Sequence, residues 1–310
     1  MRCPSPDIDV SPRGPAVVID VAAPASEWAD LAHLVDQRWR HRAPACDGVE
    51  RRLPDSSVVL LLNLDADRLS WAPPSGDPAW RRVSGAAIAA PLVGPVLLDR
   101  VEQRDLVGIE LRVGAALPLF GLPASALAEP LVALEDVMGS RARTWYERVA
   151  AAASTDTGSV ASAVAELLRE CVAASGASVA EPGLPAVVRA LSRGARVQDV
   201  VVSTGLSTST FNRHIHAATG LRPKQHGRLA RLRRVIHHLE GATDGRRRNL
   251  TDVAHMTGFT DLAHLSREFT SLTGMTPTAY ARSGAHGYHV PHTVDDDDFV
   301  QDRQGRARAQ

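Results

Sequence analysis

The chain of 310 residues is long enough for two domains, each with its own hydrophobic core. No run of 18 apolar residues occurs, and residues 1–26 lack the charged-then-apolar layout of a signal peptide, so neither a membrane span nor a secretory signal is expected. Three widely spaced cysteines exclude a disulfide framework and a thiolate zinc site, and they favour a reducing cytoplasm.

The net charge of zero conceals an uneven distribution of charge along the chain. Residues 182–285 carry 15 Lys and Arg against 6 Asp and Glu, a net charge of +9, so the remainder carries −9. A basic segment of this kind suits a polyanionic partner. Lys224 is the only lysine, so biased codon usage is an alternative source of the arginines. Composition leaves both explanations open, and the internal repeat described below favours the polyanion.

The N-terminal half is predicted to be rich in β-structure. Residues 1–25, rich in Pro, Asp and Ser, predict a flexible arm. Residues 26–175 are predicted to form one N-terminal domain that begins with a short amphipathic helix around residues 28–39. Alternating and β-branched patterns predict strands at residues 57–64, at 86–98 with a break at Pro91 and Pro95, and at 107–113.

The C-terminal half is predicted to be helical. Helical periodicity dominates from Pro130 and is clear over residues 158–174, where apolar residues share one face. Residues 176–185, rich in Gly, Ser and Pro, predict a linker. An all-α domain is expected over residues 186–282, followed by a disordered tail over residues 283–310. The predicted fold class is therefore α+β.

Two segments of the basic part repeat the same layout. The first reads VVVSTGLSTSTFNRHIHAATGLRP over residues 200–223, and the second reads VAHMTGFTDLAHLSREFTSLTGMTP over residues 253–277. The matched pairs are Gly205 with Gly258, Phe211 with Leu265, Arg213 with Arg267, Ile215 with Phe269, Gly220 with Gly274, and Pro223 with Pro277. One extra residue lies in the second turn. Agreement at so many placed positions, Gly and Pro among them, indicates an internal duplication.

Each copy has the layout of a helix-turn-helix unit. A short helix, over residues 197–204 or 250–257, ends near a Gly that can adopt the left-handed conformation. Ser207, or the pair Thr260 and Asp261, then caps a second helix, and Asn249 caps the short helix of the second copy. The second helices direct these polar or small residues outward: Ser209, Asn212, Arg213, His216, Ala263, Ser266, Arg267 and Thr270. The major groove of DNA accepts a helix of this kind.

A long helix is predicted between the two units. Pro223 can open it at no cost in hydrogen bonds, and its apolar stripe runs to about Glu240. Its length of about 25 Å would place the two units roughly one DNA turn apart. Arg228, Arg231 and Arg234 lie off the stripe and are predicted to contact phosphates, as is the arginine run at residues 246–248, for which a merely solvated loop is the alternative.

These residues resemble the AraC/XylS family of transcription regulators. The resemblance is carried by the two units, by residues 258–269 and by the ending at residues 274–280, and it covers about residues 185–282. It implies a sequence-specific DNA-binding regulator at the nucleoid that is not an enzyme and has no cofactor. It also implies an N-terminal domain for effector sensing or homodimerisation, with RNA polymerase as a partner.

The resemblance also implies which residues face the groove. In the first unit these are Ser209, Asn212 and Arg213. In the second unit they are Leu262, Ala263, His264, Ser266 and Arg267. Arginine pairs with guanine and asparagine with adenine, which agrees with the first unit. Leu262 and Ala263 depart from the polar pattern, since they can touch a thymine methyl group but read no hydrogen-bonding edge, so the second helix is expected to contribute more to anchoring.

Three alternatives remain open at this stage. His286, His289 and His292 stand near Asp295–Asp298 and suggest a metal site, but a solvated tail is the expected reading, and no metal is predicted. A DNA-repair enzyme with a helix-turn-helix tail would need a reactive cysteine cluster or a metal set. A module that binds a protein partner and no longer reads DNA is the third alternative. The sequence does not indicate the operator, the effector or the sign of regulation.

Overall fold

Two antiparallel sheets form the N-terminal part of the computed structural model. The structure describes residues 19–20, 25–42, 48–74, 79–175, 183–240, 249–283, 285 and 289–292. Six strands form the first sheet: β1 (Ile19–Asp20), β2 (Val35–Arg42), β4 (Val58–Asn63), β7 (Ala86–Ala89), β9 (Asp105–Leu111) and β10 (Leu131–Ala133). Their order is β1-β2-β9-β4-β7-β10.

The second sheet packs against the first and contains five strands among the described residues. Its strands are β3 (Val49–Arg52), β5 (Arg68–Ala72), β6 (Arg81–Ser84), β8 (Val96–Asp99) and β11 (His289–His292), in the order β11-β3-β8-β5-β6. A cluster that includes Trp71, Val96 and Leu106 joins the two sheets. Trp39 lies so close to Gly108 that a β-carbon at position 108 would lie 2.1 Å from its ring, so only glycine fits there.

Helices cover the other face of the first sheet. These are α1 (Ala116–Phe120), α2 (Leu134–Met138), α3 (Ser140–Ala153) and α4 (Thr157–Ser175), with 3₁₀ helices at Ala25–Leu31, Arg100–Glu102 and Ala124–Ala126. Leu60 and Ile109 of the sheet pack in one core with Trp145 and Leu168 of the helices. Cys171 is buried in this core, and burial raises the pKa of its thiol to about 12, so it is a packing residue and not a nucleophile at neutral pH.

The described residues of the C-terminal part contain seven helices. They are α5 (Leu184–Ser192), α6 (Val197–Thr204), α7 (Thr208–Thr219), α8 (Pro223–Glu240), α9 (Leu250–Met256), α10 (Leu262–Thr273) and α11 (Pro277–Arg282). Phe211 and Ile215 pack with α5 and α6 in one core, whereas Leu265 and Phe269 pack with α8 and α9 in another. The predicted α+β class, with a β-rich N-terminal domain before two helix-turn-helix units on either side of a long helix, is confirmed.

The helix predicted around residues 28–39 is wrong beyond Leu31. The chain makes a 3₁₀ turn over Ala25–Leu31 and then enters strand β2. The apolar spacing of Trp28, Leu31 and Val35 is helical, but pairing of β2 with β9 overrides it. Buried Arg40 holds the strand in place, because its guanidinium donates two hydrogen bonds of 2.8 Å to the carboxylate of Asp105 on β9.

The structure describes only parts of the predicted N-terminal arm, linker and C-terminal tail. Within the predicted arm, Ile19–Asp20 form a strand, and residues 1–18 and 21–24 lie outside the described residues. Within the predicted disordered tail, His289–His292 form strand β11, which differs from the prediction. Helix α5 begins at Leu184, and residues 176–182 of the linker are not among the described residues. No helix in the described parts of the chain has the length and apolarity needed to cross a membrane.

Candidate nucleic-acid interface

The first helix-turn-helix unit consists of α6 and α7. Gly205 ends α6 in the left-handed conformation, with a φ of 68°, as the turn requires. Ser207 then caps α7, because its hydroxyl oxygen accepts a 3.2 Å hydrogen bond from the backbone N–H of Thr210. Phe211 and Ile215 are each 1% exposed and anchor one face of α7 in the core. The opposite face of α7 is therefore held outward.

The second unit consists of α9 and α10 and is built by the same rules. Asn249 caps α9 by accepting a 3.0 Å hydrogen bond from the N–H of Thr251. Gly258 follows with a φ of 83°, and Asp261 caps α10 through a 2.6 Å bond from the N–H of His264. Each of these caps was expected from the sequence. Sequence reasoning therefore located both units and the second helix of each, which we term the recognition helices α7 and α10.

Both recognition helices also end in the same way. The hydroxyl group of Thr219 donates a 2.7 Å hydrogen bond to the carbonyl of Ile215 and accepts a 3.2 Å bond from the N–H of Leu221. Thr273 makes the equivalent bonds to Phe269 and Met275, at 2.8 and 3.3 Å. The duplication seen in the sequence is thus reproduced in the hydrogen bonds that terminate the two helices.

The outward face of α7 carries the residues that were predicted from the sequence to contact DNA. Ser209, Asn212, Arg213 and His216 are all exposed. No side-chain hydrogen bond or ion pair joins Asn212 or Arg213 to another described residue, so both side chains are available to a partner. An exposed Asn and Arg side by side on a rigid helix can offer bidentate hydrogen bonds to the edges of adenine and guanine.

The outward face of α10 is less polar. Ala263 and Arg267 are exposed, while Leu262, His264 and Ser266 are half-buried. No hydrogen bond or ion pair links Arg267 to another residue that the structure describes.

The ring of His264 is held in place. Its Nδ1 lies 3.1 Å from the hydroxyl oxygen of Thr260, and its ring meets that of Phe259 edge-on with centroids 5.2 Å apart. Because Nδ1 is engaged by Thr260, Nε2 is the ring nitrogen left for an external partner. His264 is therefore a half-buried member of this face whose orientation is fixed by the turn before α10.

The arginines of α8 are engaged with the protein, which the sequence did not predict. Arg228 forms an ion pair of 3.0 Å with Glu268 of α10, and Arg234 donates a 3.3 Å hydrogen bond to the carbonyl of Ser192. The guanidinium of Arg231 lies 5.6 Å from the ring centroid of Phe259. All three side chains are half-buried. Contact of Arg231 and Arg234 with phosphate stays a prediction. For Arg228 the sequence-based prediction of a phosphate contact competes with the ion pair to Glu268, and the salt dependence of DNA binding decides between them. The run at residues 246–248 lies outside the described residues.

His226 is a residue that sequence reasoning missed. It is buried within α8, and one ring nitrogen lies 2.9 Å from the hydroxyl oxygen of Thr219, at the end of α7. Burial lowers the pKa of His226 to about 4, so the ring is neutral at physiological pH. The available signal was its position three residues after Pro223 and three before Leu229, on the buried stripe of the helix.

The N-terminal domain contacts the C-terminal end of each recognition helix. The backbone N–H of Gly114 donates a 3.2 Å hydrogen bond to the carbonyl of Ala218 at the end of α7. Nη1 of Arg51 on β3 donates a 3.3 Å bond to the carbonyl of Thr273 at the end of α10. Both acceptors belong to the last turn of a helix, where carbonyls have no partner within the helix. The two units are therefore fastened to the same domain through the last turn of each recognition helix.

Further contacts join that domain to α8. Leu53, which follows β3, is fully buried in the core of the second unit, and Asp55 lies 3.5 Å from Arg233. A cavity of about 50 Å³ lies beside this contact and is lined by residues of both parts, including Val58, Leu111 and His226. In the described parts of the chain, no group of three His, Cys, Asp or Glu could hold a metal ion, while His286 and Asp295–Asp298 are not described.

Comparison with known proteins agrees with this geometry for the C-terminal part. Residues 200–283 match a family model described as a helix-turn-helix domain. No curated protein matches the chain. Among solved structures, ToxT from Vibrio cholerae bound to an unsaturated fatty acid has a TM-score of 0.41 and 10% identity over 79% of this chain and 93% of that chain. ToxT bound to (E)-4-(8-methylnaphthalen-1-yl)but-3-enoic acid has a TM-score of 0.40 and 9% identity over 79% and 96%.

The family match and the paired units together identify the C-terminal domain. The match spans both units, from within α6 to the end of α11. The caps, glycine turns and outward residues of the two units have the form that a major groove accepts. The C-terminal part of the chain is therefore a helix-turn-helix domain of the AraC type, the DNA-binding part of a transcription regulator.

Proposed function

We propose that the chain regulates transcription by inserting α7 and α10 into successive major grooves on one face of a duplex. The observation that carries this proposal is the pair of equivalent units, each with a capped recognition helix and an exposed arginine, Arg213 or Arg267. The 18 residues of α8 correspond to a length of about 27 Å, against a repeat of about 34 Å for the double helix, and α8 joins the two units.

The two units take different shares of the recognition. Arg213 and Asn212 can each contribute about 1–3 kcal/mol of discrimination at a base pair. The second unit places Leu262 and Ala263 at two of its groove positions, where they offer apolar contact to thymine methyl groups. We assign base reading mainly to α7, and phosphate anchoring with apolar contact to α10, where Arg267 supplies the charge and Ser266 and His264 supply polar contacts.

The N-terminal domain is proposed as the regulatory part of the molecule. It contacts the ends of both recognition helices through Gly114 and Arg51, so a change within it would reach both units. A small-molecule effector or a second copy of the chain could supply such a change, and RNA polymerase is the partner that a regulator of this kind would recruit or obstruct. These partners belong to the proposal.

Binding to DNA is tested by selection followed by titration. The full chain is used to select duplexes from a random pool, and its affinity for a selected duplex and for random DNA is then measured at several salt concentrations. We expect tighter binding to the selected duplex and an affinity that falls steeply as salt rises, because bound phosphates release counterions. Absence of salt-sensitive affinity for any duplex would contradict the proposal and favour a module that binds a protein partner, for which Leu262 and Ala263 are the specific argument.

A further inference from the structure

The edge of the second sheet is closed by a strand from beyond the helix-turn-helix domain. Strand β11 pairs antiparallel with β3, with Val290 opposite Arg51 and Pro291 opposite Glu50. Without β11, β3 would be the edge strand, with a row of unpaired N–H and C=O groups. Pro291 has no N–H to donate, which the outermost strand of a sheet tolerates.

His289 adds a side-chain contact to this pairing. Its Nε2 lies 2.6 Å from Nη1 of Arg52, and its Nδ1 contacts the carboxylate of Glu50. A guanidinium only donates hydrogen bonds, so Nε2 accepts, and Nδ1 carries the hydrogen that is donated to Glu50. One histidine thus satisfies an acidic and a basic residue of β3 at the same time, which fixes the register of the added strand.

The strand that receives β11 is also the strand that contacts the second recognition helix. Arg51 of β3 reaches the carbonyl of Thr273, and Leu53 enters the core of the second unit directly after β3 ends. Six residues separate Arg282, the last residue of α11, from His289, and they can span about 20 Å. The segment that comes after the second unit therefore returns to the element that holds that unit.

We infer that residues 289–292, docked on the edge of β3, act as a strap that preorganises the second helix-turn-helix unit. Docked there, this strap holds β3 in place, and β3 in turn holds the end of α10. A short connection keeps the strap at a high effective concentration, so docking within one chain is favoured over exchange with a second copy. The strap thereby fixes the second unit relative to the N-terminal domain.

Two truncations test the docking. A chain of residues 1–285 lacks the strap, whereas a chain of residues 1–292 keeps the strap and lacks only residues 293–310. In hydrogen exchange, we expect the amides of β3 to exchange at least about tenfold faster in the shorter chain than in the longer one, because edge N–H groups lose their partners. Equal exchange in the two truncated chains would overturn the inference.

A substitution in the full chain and an added peptide test the docking independently of how well the shorter chain folds. In the full chain, His289→Ala should speed exchange in β3, and His33→Ala, at an exposed position of the N-terminal domain, should not. Added to the chain of residues 1–285, a synthetic peptide of residues 286–292 should restore slow exchange. Unchanged exchange in the His289 variant, together with no protection by the peptide, would contradict the docking.

The consequence for DNA rests on the proposed function and has its own readout. A selected duplex that engages both units should bind the chain of residues 1–285 about tenfold more weakly than the chain of residues 1–292, because the second unit is no longer preorganised. Equal affinities would overturn this consequence. Hydrogen exchange needs no DNA, so a failure of the proposed function would be recognised separately from a failure of the docking.

Discussion

Gly220 and Gly274 occupy equivalent positions at the ends of the two recognition helices, and both face the loop that joins β7 to β8. A β-carbon on Gly220 would lie 3.4 Å from Cγ of Pro91, and one on Gly274 would lie 3.8 Å from Cγ of Pro95. A single loop of the N-terminal domain thus approaches both units at their repeated glycines. Because the cores of the two units are separate, this domain acts as a brace between them.

Replacing Gly274 tests the brace. Both Gly274 and Gly205 have a positive φ, at 74° and 68°, so alanine is strained at either position. At position 274 the added carbon would also lie 2.7 Å from Nη1 of Arg51, whereas nothing lies within 4 Å at position 205. We expect Gly205→Ala to lower the free energy of unfolding by about 1 kcal/mol and Gly274→Ala by about 2–3 kcal/mol.

Urea unfolding of the two variants measures this difference. Gly205 has a similar φ and open space around it, so its variant accounts for backbone strain, and the excess at position 274 reports the contact with Arg51. The double variant Arg51→Ala with Gly274→Ala should recover part of that excess, because the clash is removed. Equal losses of unfolding free energy for Gly205→Ala and Gly274→Ala would show that Arg51 does not restrict position 274.

Arg213 is expected to determine sequence preference. Arg213→Ala should weaken binding to a selected duplex by about 10–100-fold and binding to random DNA by much less, since a bidentate contact with guanine is worth about 1–3 kcal/mol. Arg143→Ala removes another exposed arginine, from α3 of the N-terminal domain, and serves as the control. Titration of both duplexes at fixed salt gives the comparison. Equal losses on both DNAs would make Arg213 a phosphate contact.

Arg228 is expected to hold α8 against α10 rather than to bind phosphate. Its ion pair with Glu268 is partly exposed, so Arg228→Ala should lower the free energy of unfolding by no more than about 1 kcal/mol. The slope of log affinity against log salt should not change, whereas loss of a phosphate contact would reduce it by about 1. Arg267→Ala, which removes an exposed arginine, should reduce that slope and is the positive control.

The buried His226 predicts acid sensitivity of the C-terminal domain. Above pH 6.5 the ring is neutral in the folded and unfolded chain, so it contributes no pH dependence. Below pH 6.5 the unfolded chain binds a proton that the fold, with a pKa of about 4 for His226, does not. Stability is therefore lost as the pH falls, by about 2 kcal/mol between pH 7 and pH 5.

Chemical unfolding at pH 7 and pH 5 checks this prediction. His226→Gln should be less stable at pH 7 but should lose less stability on acidification than the unmodified chain. His33→Gln replaces an exposed histidine and should leave the difference between the two pH values unchanged. A His226→Gln variant with the full acid sensitivity would show that other groups cause it.

The duplicated units could be predicted because their determinants are local. The signals that mark the helix ends act within a few residues: caps such as Ser207 and Asp261, glycine turns, and helical spacing of apolar residues. In each unit these signals agreed on where the helices begin and end. Strand β2 could not be predicted, because its pairing with β9 depends on residues about 70 positions away, among them Asp105 beneath Arg40. The pattern of β2 taken alone is compatible with a helix.

The residues predicted to contact DNA are exposed on α7 but half-buried on α8. The difference arises from contacts with residues far away in the sequence. A position off the apolar stripe of a helix shows only that a side chain avoids one core. Arg228 and Arg231 avoid the stripe and still contact Glu268 and Phe259, which approach from the second unit. Likewise, nothing in the spacing of the tail indicated that His289 would lie between Glu50 and Arg52.

The separation of the two helical cores has a consequence for how the molecule unfolds. Phe211 and Ile215 share no core with Leu265 and Phe269, so heat can open one half of the DNA-binding part while the other half stays closed. We expect such melting to depart from an all-or-none transition. A bound duplex that touches both halves would couple the two openings and merge them into one cooperative transition.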